Sequence, residues 1–178
     1  MDRLAGRLEL QHAAALFHFT KSGIFQHAIH ALKYEGKYSI GRIMGELAGE
    51  MILNSVNFNS PDCIIPIPIH RKRKRARRYN QSAVFGKAIS NIIGAPMRED
   101  ILVKDHHISS QTTASRTGRI QNVFDSFSLF AEKLSPGISV LLVDDVITTG
   151  ATLEAAYHKL RQIPDIQIQI LTMAMAHD

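Results

Sequence analysis

Residues Val140–Thr152 read Val-Leu-Leu-Val-Asp-Asp-Val-Ile-Thr-Thr-Gly-Ala-Thr. The four apolar residues at the start have the pattern of a strand covered on both faces, as in a parallel sheet. Two carboxylates follow at its carboxyl end, the edge where open α/β sheets bind ligands. A Thr148–Thr152 turn then opens a helix whose apolar positions Leu153, Ala156, Tyr157 and Leu160 share one face. Such a turn offers backbone N–H groups, threonine hydroxyls and the positive end of a helix dipole, which together suit a dianionic phosphate. Gly150 and Ala151 keep bulk away from an approaching anion. Asp144 and Asp145 would repel that phosphate, so they are expected to serve another part of the same ligand, either hydroxyls or bound magnesium. Two plainer readings compete. One is the acidic strand of a nucleoside triphosphatase, but no Gly-x-x-x-x-Gly-Lys-[Ser/Thr] loop accompanies it. The other is an ordinary strand-turn-helix with aspartates near a helix start.

The chain has 178 residues, 45% of them apolar, enough for one α/β domain with a normal core. A single cysteine, Cys63, excludes a disulfide framework and a multi-cysteine zinc site, and in its apolar run it reads as a small core residue. The first residues lack a signal-peptide pattern and no apolar run approaches spanning length, so no membrane association and a cytoplasmic location are expected. The net charge of +5 comes from 21 Lys and Arg against 16 Asp and Glu. Seven of the cations fall within Arg71–Arg78, and taking those away leaves 14 against 16. The chain is therefore not a generally basic nucleic-acid binder; its positive potential is one patch.

Further elements follow from periodicity. Ala13–Thr20 leans toward a strand. Ser22 or Gly23 starts a helix through Tyr34 that buries Ile24, Phe25, Ala28, Ile29 and Leu32. A helix over about Ser39–Val56 carries a core stripe of Ile40, Ile43, Met44, Leu47, Ala48, Met51 and Ile52. Asp62–His70 is a buried strand whose prolines take the chain out of the sheet near Pro66 or Pro68, into a basic loop. A helix from about Asn80 to Ile93 buries Val84, Phe85, Ala88, Ile89 and Ile92, with Gly94 and Pro96 closing it. Ile101–Val103 and Phe124–Phe130 read as strands, and Ile166–Met175 as the last one. The polar stretch between them, 104–122, is long for a loop in a compact domain, which signals function or mobility. Strand-helix-strand units on either side of that loop give an α/β fold with a mainly parallel sheet flanked by helices.

The 140–152 stretch resembles the signature of type I phosphoribosyltransferases at every position. That resemblance implies that Asp144 and Asp145 hold the ribose hydroxyls of 5-phosphoribosyl 1-diphosphate (PRPP). It implies further that Thr148, Thr149, Gly150, Ala151 and Thr152 cradle its 5-phosphate. Arg78-Tyr79-Asn80-Gln81-Ser82, Ala31-Leu-Lys-Tyr-Glu-Gly-Lys37 and Pro66-Ile-Pro-Ile-His-Arg-Lys-Arg73 are similar to elements of the ComF family of competence-related phosphoribosyltransferases. So is Gln111-Thr-Thr-Ala-Ser-Arg116 with Arg119 and Asn122. The family pattern implies one phosphoribosyltransferase-like domain over 1–178. Within it, 13–57 form an N-terminal helical hood, 62–178 the core and 104–122 a mobile loop that closes over PRPP. Arg71 and Lys72 become the pyrophosphate-binding residues, and Arg116 and Arg119 the cations delivered by the mobile loop. Magnesium is the expected cofactor, bound through PRPP and through Asp144 or Asp145 rather than by a protein cage. ComF relatives commonly carry a four-cysteine zinc module ahead of this domain; with one cysteine, the chain is a short member or has lost that part. A homodimer is the family expectation.

Nine histidines invite a metal reading, but His27 with His30 and His106 with His107 lack a third ligand at sensible spacing. Asn80 and Gln81 are candidates to bond substrate or to cap the following helix, the cap being the better assignment for Asn80. Two functions of different kind remain. One is a magnesium-dependent enzyme transferring phosphoribose from PRPP to an unidentified nitrogenous acceptor. The other is a non-catalytic DNA-uptake or processing factor whose Arg71–Arg78 run contacts single-stranded DNA. Tyr79 borders that run, but no aromatic row accompanies it in sequence, so no stacking platform is expected.

Overall fold

The signature strand becomes the second of two central strands because its neighbours bury both of its faces. The computed structural model describes residues 8–19, 24–104 and 126–176. In chain order these form β1 (His12–Phe19), α1 (Ile24–Tyr34), α2 (Tyr38–Leu53), β2 (Cys63–Pro66), α3 (Arg71–Arg77) and α4 (Gln81–Ile93). Then come β3 (Leu102–Lys104), β4 (Phe127–Leu129), β5 (Ser139–Ile147), α5 (Ala151–Leu160) and β6 (Gln167–Ala176). A four-stranded sheet has the order β1-β6-β5-β2, every pair parallel. Alternate residues split between two cores, as the two-residue period of a strand requires. Ile64, Leu141, Val143, Leu171 and Met173 pack beneath α1, α2 and α4. Cys63, Ile65, Val140, Leu142, Ile168 and Ile170 pack on the other side, with α5, β3 and β4.

Pro66 does end β2. Ile67 N–H still bonds Val143 O at 2.8 Å, so by alternation the donor missing at Pro66 faces outward. On that outer side Ile64 bonds to Pro96 and Arg98, a single parallel bridge beyond the edge of the sheet. β3 does not join the main sheet; it pairs antiparallel with β4 as a separate ribbon.

Several expectations need correction. Residues 12–19 are an edge strand of the central sheet, so a hood over 13–57 cannot begin at residue 13. Ile24 is 85% exposed, outside the buried face of α1. In α2 the stripe is rotated: Ile43 and Leu47 are 49% and 51% exposed, while Gly41, Gly45 and Gly49 are buried with Met44, Ala48 and Ile52. The glycines meet α4 in register, Gly41 against Val84, Gly45 against Ala88 and Gly49 against Ile92, so the two helices run parallel. A Cβ at Gly45 would lie 2.5 Å from Ala88 Cβ and 2.6 Å from Phe85 O, closer than atoms tolerate. The expected basic loop is helical: Arg71–Arg77 form α3, with no buried residue. Residues 105–125, which hold Arg116, Arg119, His106, His107 and nearly all of the expected mobile loop, lie outside the described residues.

Candidate functional site

β5 delivers Asp144 and Asp145 to the carboxyl edge of the sheet, and three other elements fix their side chains there. Asn80 starts the chain of contacts. Its Oδ1 accepts from Ser82 N–H at 3.2 Å, the cap that begins α4, and its Nδ2 donates to Ile67 O at 3.0 Å. That ties the first turn of α4 to the exit of β2. Ser82, so placed, donates its hydroxyl to Asp144 Oδ1 at 2.9 Å, and Asp145 N–H donates to the same oxygen at 2.8 Å. Asp145 Oδ1 accepts from Val146 N–H at 2.6 Å. Its Oδ2 pairs with Lys33 Nζ at 2.9 Å, the lysine reaching in from the last turn of α1.

The two carboxyls differ in circumstance. Asp144 is buried, and burial together with the neighbouring Asp145 charge pushes its carboxyl up to about 7; the bonds from Asp145 N–H and Ser82 and the Lys33 charge oppose this. A buried, crowded carboxylate of this kind gains from any cation or hydroxyl donor brought to it, so the pair fits a magnesium-bound sugar phosphate. Asp145 already has an ammonium partner.

After Ile147 the chain turns through Thr148 and Thr149 to Gly150, whose φ of +80° is the left-handed region that glycine occupies without strain. Ala151 N–H, the first of α5, lies 3.4 Å from Thr149 Oγ1. The turn curls around a concavity of about 30 Å³ lined by Asp144 and by Thr148–Leu153, so the carboxylate and the turn face one space. The first residues of α5 supply N–H groups without intrahelical acceptors.

Arg71 and Lys72 open α3 just beyond the exit of β2, both exposed, with His70 Nδ1 capping the helix by accepting from Lys72 N–H at 3.2 Å. Arg77 has a framework role. It donates to Gln81 Oε1 and to Tyr34 OH, each at 3.2 Å, and lies 5.1 Å from the Tyr34 ring centroid. Gln81 is wholly buried in this arrangement. Tyr79 is buried too and donates its hydroxyl to Leu32 O, locking α1 onto the start of α4.

Three residues at the site have no role legible in the linear sequence. Lys33 and Ser82 stand there only as letters of longer motifs. Lys104 falls in the polar stretch, yet it ends β3 and is half-buried, 4.7 Å from the Phe127 ring centroid. Burial lowers its pKa, the Arg73 charge acts in the same direction and Asp144 opposes both, so these three groups share one electrostatic neighbourhood. A lysine at the last residue before a long polar segment is the available signal. Cys63 is buried, and burial pushes its thiol up to about 11, which makes it a core residue rather than a nucleophile. No group of three or more His, Cys, Asp or Glu side chains able to hold a metal occurs among the described residues. Nor is any helix among them long and apolar enough to cross a membrane.

Known proteins resemble this arrangement. The phosphoribosyl transferase domain family matches residues 79–172, from the tyrosine before α4 into β6. Competence protein F of Haemophilus influenzae is 31% identical over 152 residues, 83% of this chain and 66% of that protein. The DNA utilization protein YhgH of Salmonella typhimurium is 26% identical over 128 residues, 70% of this chain and 56% of that one. This chain therefore spans under two thirds of the length of either relative. Among solved structures, adenine phosphoribosyltransferase from Saccharomyces cerevisiae is similar at 13% identity with a TM-score of 0.47, over 79% of this chain and 69% of that one.

Proposed function

Because the chain belongs to the phosphoribosyl transferase domain family, on its ComF branch, we propose that it binds PRPP and transfers the phosphoribosyl group to a nitrogenous acceptor, with pyrophosphate leaving. The observation that carries this reading is the shared space of the buried Asp144 carboxyl and the Thr148–Thr152 turn. Asp144 in it and Asp145 beside it take the ribose hydroxyls while the Thr148, Thr149, Gly150, Ala151 and Thr152 segment anchors the 5-phosphate.

Breaking the anomeric C–O bond develops positive charge on the sugar and negative charge on the departing diphosphate. The carboxylates hold the ribose in place as it flattens, and their charge favours the cationic ring. Arg71 and Lys72 at the start of α3 receive the diphosphate; Arg116 and Arg119, expected from the sequence to join them, lie outside the described residues. Lys104 adds a half-buried positive group near Asp144. Lys33 acts differently, since by neutralising Asp145 it lets two adjacent carboxylates coexist at the strand end. When bound, magnesium neutralises the diphosphate, with Asp144 or Asp145 as its protein contact. The domain works as one unit over 1–178, its core over 62–178 completed by β1.

The test is a PRPP-dependent pyrophosphate-release assay against a panel of purine and pyrimidine bases and amines. Release with at least one acceptor, lost with Thr149→Val and Gly150→Val together, is expected. Absence of release across the panel, with PRPP binding intact, would reduce the protein to a PRPP-binding factor.

A second reading rests on the exposed cations of α3 and on the names of the relatives, one a competence protein and one a DNA utilization protein. Here Arg71–Arg78 contact the phosphates of single-stranded DNA. Affinity for a single strand should then fall with salt, with a log–log slope of magnitude about 0.7 per phosphate contacted. Salt-independent affinity, or none, removes it.

A further inference from the structure

A second concavity, of about 620 Å³, lies on the flank built by α2, α3 and α4 and shares no lining residue with the one at Asp144 and the Thr148–Leu153 turn. Its volume is within the range of ligand pockets, roughly 300–1,000 Å³. The floor is apolar, from Tyr79, Ala83, Val84, Ala88 and Met97. Four cations line it, Lys74, Arg78, Lys87 and Arg42, the last paired with Glu46 at 2.8 Å, and the lining holds one acid, Glu99. At one end the Tyr38 ring is 46% exposed, its centroid 4.1 Å from that of Tyr79. Tyr34, 64% exposed, lies beneath the Arg77 guanidinium. The fold thus sets two exposed tyrosines beside the basic run, Tyr34 against Arg77 and Tyr38 against Tyr79.

We propose that this groove binds a nucleoside monophosphate unit, the base stacked at Tyr38 over the apolar floor and the phosphate taken by Lys74, Arg78 and Lys87. An apolar floor with an exposed aromatic at its end recognises a π-face, and surplus positive charge at the rim recognises phosphate. The amide of Asn91 and the hydroxyl of Ser39, also in the lining, can bond a base edge without selecting one base strongly. A second copy of this chain is a poorer occupant, since it would set four like charges against four. An acidic peptide satisfies the cations but leaves the aromatic end unused. The unit has two sources, a free mononucleotide or a residue within a single strand. This inference does not depend on PRPP binding at Asp144; its strand arm rests on the second reading of Arg71–Arg78, which it narrows to one groove.

The experiment titrates the full chain, saturated with magnesium and PRPP or carrying Asp144→Asn, with adenosine 5′-monophosphate and separately with an oligothymidylate of about 12 nucleotides. Tyr38→Ala should weaken binding about 5- to 100-fold, Tyr38→Phe should restore it, and Lys87→Glu should weaken it at least about fivefold. Arg161→Ala, on an exposed cation outside the groove, should change nothing. Binding of the mononucleotide in competition with the strand identifies a free nucleotide as sufficient. Tyr38-dependent binding of the strand alone places the unit within a strand. Binding of neither probe overturns the proposal. So does binding indifferent to both Tyr38→Ala and Lys87→Glu, or displacement of the strand by polyglutamate as readily as by mononucleotide. Because Tyr38 does not line the concavity at Asp144, PRPP affinity in Tyr38→Ala separates failure of this proposal from failure of the other.

Discussion

The turn from β5 into α5 and the contact between α2 and α4 are built on opposite principles. The first draws its carboxylates and its anion-ready turn from thirteen consecutive residues, Val140–Thr152, with Ser82 and Lys33 only steadying the two side chains. The second draws on residues four apart in two helices far apart in sequence, Gly41, Gly45 and Gly49 against Val84, Ala88 and Ile92. One is a local device carrying polar groups that the fold tolerates at a cost; the other is a packing device with no polar role. Substitutions in the two regions should therefore move stability in opposite directions.

The largest expected effect is at the packing contact. Gly45→Ala inserts a Cβ against Ala88 and the Phe85 carbonyl, and a parallel pair of backbone-close helices must part to admit it. Overpacking of this kind costs roughly 1–3 kcal/mol, only partly offset by the better helix propensity of alanine. Thermal melting should show a fall of about 2–10 °C. A melting point unchanged or raised would mean the helices are not in this close register.

Asp144→Asn should act in the other direction and with smaller size. The asparagine Oδ1 still accepts from Ser82 and from Asp145 N–H, while the buried charge is gone. In the wild type the folded-state pKa, about 7, lies above the ordinary 3.8, so the folded form holds the proton more tightly. Wild-type stability therefore declines as pH rises from about 4 to about 7, and the penalty is fully developed above that. The variant should melt about 2–4 °C higher at pH 8 and the gain should vanish near pH 4, where the wild-type carboxyl is protonated in both states. An equal gain at both pH values would show that charge burial is not its source.

The smallest effect sharpens the assignment of the α2 faces. Ile43→Ser, at a position expected from periodicity to be core and found exposed, should change stability by no more than about 0.5 kcal/mol in denaturant melts. A loss of the size of a core truncation would restore the stripe that periodicity suggests.

What can be read in the sequence follows the same division. The signature segment is legible because strand, carboxylates and turn are neighbours in the chain. The caps at Asn80 and Gly94 are legible for the same reason, each being a local bond. The α2 face is misread because periodicity weighs side chains by hydropathy, and glycine, with none, carries no weight although it sets the closest approach. The α3 helix is missed because a run of cations reads as a solvated loop, although Arg and Lys are good helix formers and His70 supplies an N-cap. Lys33 and Lys104 cannot be assigned to Asp145 and Asp144 from spacing, since only the tertiary fold brings the ends of α1 and β3 to the carboxyl edge of β5. The same holds for Tyr38 beside Tyr79.

The central claim is that the Asp144–Asp145 pair and the turn beside it form one PRPP site. Calorimetric titration of magnesium-bound PRPP into the wild type and into the Asp144→Asn, Asp145→Asn double variant measures that directly. The wild type should bind, and the double variant, shown to be folded by its thermal melt, should lose roughly 10- to 150-fold in affinity or bind undetectably. Equal affinity in the two proteins would place the sugar phosphate somewhere else on the molecule and contradict that claim.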